Sequence, residues 1–89
     1  SIISFLKPGI VTIFSKSGEE KFYVEDGLVE FKNNVLSLLT SSIFSLKEIE
    51  KSVVQNLIKS AEEESNKTEI SDQSKYLAEQ KIEVLRTLN

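Results

Sequence analysis

The chain has 89 residues, 28% of them charged, and a net charge of -3, so one domain or one small two-part unit with a modest core is expected. It contains no cysteine and no histidine, which excludes disulfides and thiolate metal sites and removes the commonest metal ligand and general base. The acidic balance speaks against nucleic acid, which needs a concentrated basic face, and no apolar run is long enough to span a bilayer.

No signal peptide is evident at the start of the chain. Ile2-Ile3-Ser4-Phe5-Leu6 reads as mid-domain sequence, and the chain has no methionine. Ser1 is therefore not expected to be the natural start. Lys7-Pro8-Gly9 punctuates the chain, Pro fixing φ and Gly freeing it. Ile10 to Phe14 is β-branched and apolar, as a strand requires. Ser15 to Glu20, with Gly18, links it to Lys21–Glu25. There Phe22 and Val24 fall on one face, and Lys21, Tyr23 and Glu25 on the other. Asp26-Gly27 predicts a type I′ hairpin turn, after which Leu28 to Phe31 returns. Lys32-Asn33-Asn34 turns once more, and Val35 to Thr40 forms a last strand. Short strands joined by tight turns predict an antiparallel meander.

After Ser41 the period becomes helical. Ile49, Val53, Leu57 and Ala61 recur every four residues, and Val54 and Ile58 widen the stripe. Ser45-Leu46-Lys47-Glu48 fits a capping box, with Phe44 and Ile49 as its hydrophobic staple. Glu62-Glu63-Glu64 lies where the macrodipole disfavours anions, so fraying is expected there. Ser65 to Ser71 reads as a polar loop. A second helix is predicted from about Asp72, with Leu77, Ala78, Ile82, Leu85 and Leu88 on one face and Tyr76 and Val84 flanking it. Two such helices joined by a short loop favour an antiparallel hairpin.

The strands have an apolar face that needs a partner layer, and a lone meander leaves two open edges. Ile2, Ile3, Phe5 and Leu6 add further apolar area. A second sheet or another chain is expected to cover this half. Catalytic constellations are nearly absent. Glu19, Glu20, Glu25, Asp26, Glu30 and Glu62–Glu64 fall on turns and solvent faces, where charged residues usually lie. Gly9, Gly18 and Gly27 are isolated in turns, so no phosphate-cradling loop exists. Two readings of the helical stripes stay open. Ile49, Val53, Leu57, Ile82 and Leu85 pack the hairpin seam, the commoner use of such faces, or one helix peels away and offers its face to a partner. Arg86, the single arginine, complements the end of the second helix or binds an anionic group.

Three stretches in order resemble one family. They are Phe5-Leu6-Lys7-Pro8-Gly9-Ile10-Val11, then Tyr23-Val24-Glu25-Asp26-Gly27-Leu28-Val29-Glu30-Phe31, then Asn34-Val35-Leu36-Ser37-Leu38-Leu39. With the helix start at Leu46 to Glu50, the chain resembles the epsilon subunit of bacterial F-type ATP synthases, the counterpart of the mitochondrial delta subunit. The family usually carries Gly-Gly where this chain has Asp26-Gly27.

The resemblance implies an α+β fold: part of an antiparallel β-sandwich over residues 1–44, lacking its amino-terminal portion, and a two-helix antiparallel hairpin over residues 45–89. It implies a non-catalytic rotor subunit that couples gamma to the membrane rotor ring. By the same resemblance, the hairpin can extend along gamma into the catalytic head and restrain ATP hydrolysis. The subunit would sit peripherally at the cytoplasmic face of a bacterial inner membrane. Ser4 falls where the family approaches gamma. With it, Ile49, Val53, Leu57, Leu77, Ile82, Leu85 and Arg86 are the partner-contact candidates. Some relatives bind ATP through Ile-Asp-x-x-Arg-Ala. Here Ile49-Glu50-Lys51-Ser52-Val53-Val54 lacks the guanidinium that would meet a phosphate, so no tight ATP site and no cofactor is expected. The competing reading is an adaptor whose hairpin docks on some other complex. A small enzyme is disfavoured for want of a convergent polar pocket.

Overall fold

The computed structural model describes residues 2–89, in the order β1 (Ile2–Leu6), β2 (Gly9–Ser15), β3 (Gly18–Val24), β4 (Gly27–Lys32), β5 (Val35–Leu39), β6 (Ile43–Ser45), α1 (Lys51–Ser65) and α2 (Asp72–Arg86). Two compact units result, one ending at Leu46 and the other Lys47–Asn89.

The strands do not follow one another through a single meander. They form two antiparallel three-stranded sheets, ordered β1-β4-β5 and β2-β3-β6. The two tight hairpins, β2–β3 and β4–β5, belong to different sheets, and the chain crosses between sheets after β1, β3 and β5. The registers place all three crossings at one end. Leu6 pairs with Gly27 and Leu28 with Leu39 in the first sheet, while Gly9 pairs with Val24 and Val24 with Ile43 in the second. This is a sandwich closed at its crossing end.

Asp26-Gly27 is therefore one of the crossings and not the expected hairpin turn. The two-residue turn with both central positions left-handed is Asn33-Asn34, at φ 52° and 61°, between the paired Lys32 and Val35. Asparagine tolerates that region because its short side chain bonds locally. Gly27 is glycine for want of space: a Cβ there would meet the Leu39 carbonyl oxygen at 3.0 Å and the Thr40 Cβ at 3.3 Å.

Asp26 also ties two crossings together. The Thr40 hydroxyl donates to the Asp26 carbonyl at 2.6 Å, the Ser41 hydroxyl donates to Asp26 Oδ1 at 2.8 Å, and the Ser41 N–H donates to the same oxygen at 3.3 Å. The Glu25 N–H donates to the Ser42 carbonyl at 3.4 Å.

The first helix starts later than the capping box predicts. Ser45 lies in β6 opposite Phe22, and the Leu46 N–H donates to the Lys21 carbonyl at 3.0 Å. The Phe44 ring stacks on Tyr23 with centroids 6.4 Å apart, and Ile49 precedes the helix instead of taking the fourth helical position that a staple requires. Strand pairing consumes the backbone groups a helix would need here. The helix instead begins after Glu50, whose side chain makes no capping bond.

At the other end α1 runs as helix through Glu62–Glu64 to Ser65. The Asn66 N–H bonds the Glu62 carbonyl at 3.1 Å, and the Ser65 hydroxyl bonds the same carbonyl at 2.9 Å. Lys67 reaches Glu64 at 2.8 Å. These donors and cations offset the unfavourable placing of three carboxylates at a helix C-terminus. The second helix starts as predicted, with Ser71 as N-cap accepting from the Ser74 N–H at 3.1 Å. Asp72 and Arg86 lie at the ends the macrodipole favours.

α1 and α2 pack on each other. Gln55 donates to Asn89 at 2.8 Å, and Arg86 to Glu62 at 3.5 Å. Partners on the second segment descend as those on α1 ascend, the sense of an antiparallel hairpin.

Candidate functional site

Among the described residues no group of three or more acidic or metal-ligating side chains could hold a metal ion. No described helix is long and apolar enough to cross a membrane. What the chain offers is surface, and the two units offer different kinds.

In the helical unit the buried residues of α1 are Val54, Ile58 and Ala61, and those of α2 are Ala78 and Leu85. The four-residue stripe through Val53 and Leu57 thus flanks the buried line, and both residues are half-buried. Ile49 precedes the helix in an irregular stretch and is also half-buried. Leu77 and Ile82 are half-buried, whereas Leu85 is 0% exposed. Leu85 therefore belongs to the interior of the folded chain, and only a rearrangement would present it to a partner. Arg86 is exposed and forms its ion pair with Glu62 across the hairpin, setting a cation beside the acidic end of α1. Glu64 and Lys67 favour each other's charged forms. Their mutual hydrogen bond and attraction hold the carboxyl below and the amine above their ordinary ranges.

In the sheet unit Ser4 is exposed at the middle of β1, opposite Val29. β1 is an edge strand, so Ser4 sits beside unpaired backbone groups. Neighbouring strand positions are strongly apolar yet uncovered. Phe5 is 84% exposed, Phe14 75% and Leu39 71%. Among the described residues every exposed large apolar side chain lies in a strand, except Tyr76.

A shallow cleft of about 540 Å³ at the crossing end is lined by Phe5, Leu6, Gly27, Leu28, Leu39 and the Asp26–Ser41 clip. A smaller one of about 250 Å³ lies between the sheets, against Val11, Ile13, Phe14, Val29, Leu36 and Leu38. The fully buried anchors of this unit are Tyr23 and Val24. The Tyr23 hydroxyl donates to Glu25 Oε2 at 3.1 Å. Burial, reinforced by that carboxylate, pushes the phenol well above its ordinary range.

Sequence patterning missed the Asp26 clip, because its partners Thr40 and Ser41 are distant in sequence and of common types. The exposed sheet surface did have a signal. β1 is apolar at both parities, Ile2 and Leu6 on one face and Ile3 and Phe5 on the other, which a strand solvated on one side does not need.

No family model matches the chain. An ATP synthase epsilon chain from Pelagibacter ubique (strain HTCC1062) is 65% identical over 89 residues, which is 100% of this chain and 68% of the relative. The chain belongs to the ATP synthase epsilon chain family. As a member it is a central-stalk subunit of F-type ATP synthase and not a catalytic one, and it works through contact with other subunits. The reading as an adaptor of an unrelated complex yields to that identity. A second epsilon chain, from Mesorhizobium japonicum (strain LMG 29417 / CECT 9101 / MAFF 303099), is 30% identical over 88 residues, 98% of this chain and 64% of the relative. The chain thus spans about two thirds of the length of these epsilon chains.

A chain in the cryo-EM structure of Euglena gracilis mitochondrial ATP synthase, OSCP/F1/c-ring in rotational state 1, superposes with a TM-score of 0.61. It is 18% identical, and the match covers 98% of this chain and 54% of that one. At that identity the likeness speaks for the fold alone. The α+β sandwich followed by a helical hairpin is thus a fold shared with that chain.

Proposed function

We propose that this chain is the part of an epsilon subunit that couples gamma to the membrane rotor ring, with the hairpin facing the catalytic head. The observation that carries this reading is 65% identity to an epsilon chain along the whole chain. The neighbour in fold comes from an assembly described as OSCP/F1/c-ring, which supports partners in the F1 head and ring. Ser4 contacts gamma in this reading, from the exposed edge strand. Ile49, Val53, Leu57, Leu77 and Ile82 contact partners by their uncovered margins. Leu85 and Arg86 do so only when the hairpin opens. The subunit lies peripherally at the cytoplasmic face of a bacterial inner membrane.

Restraint of hydrolysis by the hairpin is expected to be weak. Lys75, Lys81 and Arg86 are the only basic residues of α2, so an acidic surface of the head attracts it little. A tight ATP site is not expected. Val53 and Val54 stand where ATP-binding relatives carry Arg and Ala, and Val54 is buried.

The test is affinity purification of a tagged parent subunit from its own membranes. Gamma, the rotor ring and the catalytic head should be recovered in fixed ratio, and Ser4→Arg should lower that recovery without altering circular dichroism. Recovery of only unrelated proteins would overturn the reading. Titration calorimetry with Mg-ATP should give no saturable heat at micromolar protein.

A further inference from the structure

We draw no further inference here: the strongest candidate, the apolar cleft at the crossing end of the β-sandwich between Phe5, Leu28 and Leu39, is an unpartnered surface and nothing in the structure shows what covers it.

Discussion

The two units solve the same problem in opposite ways. The helical unit buries its apolar line, Val54, Ile58, Ala61, Ala78 and Leu85, and leaves Tyr76 as its one large exposed apolar residue among those described. The sheet unit fully buries only Tyr23 and Val24 of its large apolar residues and leaves both edges of both sheets unpaired. A helix satisfies its own backbone and needs cover along one stripe. A strand needs neighbours on two edges and cover on its faces. A sheet of few strands is therefore left more exposed than a helical hairpin of similar length. The sheet unit is accordingly the one whose stability should respond to added partners.

Substitutions can sharpen that contrast. The largest effect should come from Leu85→Ala, which removes a side chain with no exposure and should cost about 2–5 kcal/mol. Urea unfolding followed by far-ultraviolet circular dichroism would read it as a loss of helix at lower denaturant. Next is Gly27→Ala. Its new Cβ would press on the Leu39 carbonyl, at a cost of about 1–3 kcal/mol, visible as faster amide exchange in β4 and β5 with the helices unaffected. Asp26→Ala removes the acceptor for Ser41 at a solvent-exposed crossing and should cost about 1 kcal/mol.

Alkaline titration offers a charge-based probe of the sheet unit. The folded state holds Tyr23 protonated beyond the pH at which an unfolded tyrosine, at about 10, ionises. Its contribution is complete below that pH and is lost as pH rises through the higher folded value. Stability should thus fall on the alkaline side, and Tyr23→Phe should flatten the fall. The smallest effect belongs to Arg86→Ala. An exposed pair at 3.5 Å contributes about 0–1 kcal/mol, and 1 M salt should erase the difference in melting temperature.

Much of this was legible in the residues. The hairpin turn at Asn33-Asn34 and the second helix with its start near Asp72 rest on local chemistry, which sequence displays directly, whereas the helical period read from Ser41 begins only after β6, at Lys51. The errors share one cause. Asp26-Gly27 has the composition of a tight turn, but Gly27 is pressed between Leu39 and Thr40, a contact no local window contains. Ser45 and Glu48 have the spacing of a capping box, but Ser45 pairs with Phe22, which lies 23 positions earlier. In α1 the predicted stripe contains the whole buried line, Val54, Ile58 and Ala61, and long-range packing leaves Val53 and Leu57 half-buried at its margin. The exposed apolar surface was legible as excess, in the doubly apolar β1.

The most direct test is residue-resolved hydrogen exchange on this chain alone, with size measured in parallel. The account predicts slow exchange in α1 and α2, fast exchange along β1 and β5, and self-association or dye binding through the exposed strands. Uniform protection of all six strands in a monomer that binds no apolar dye would contradict it.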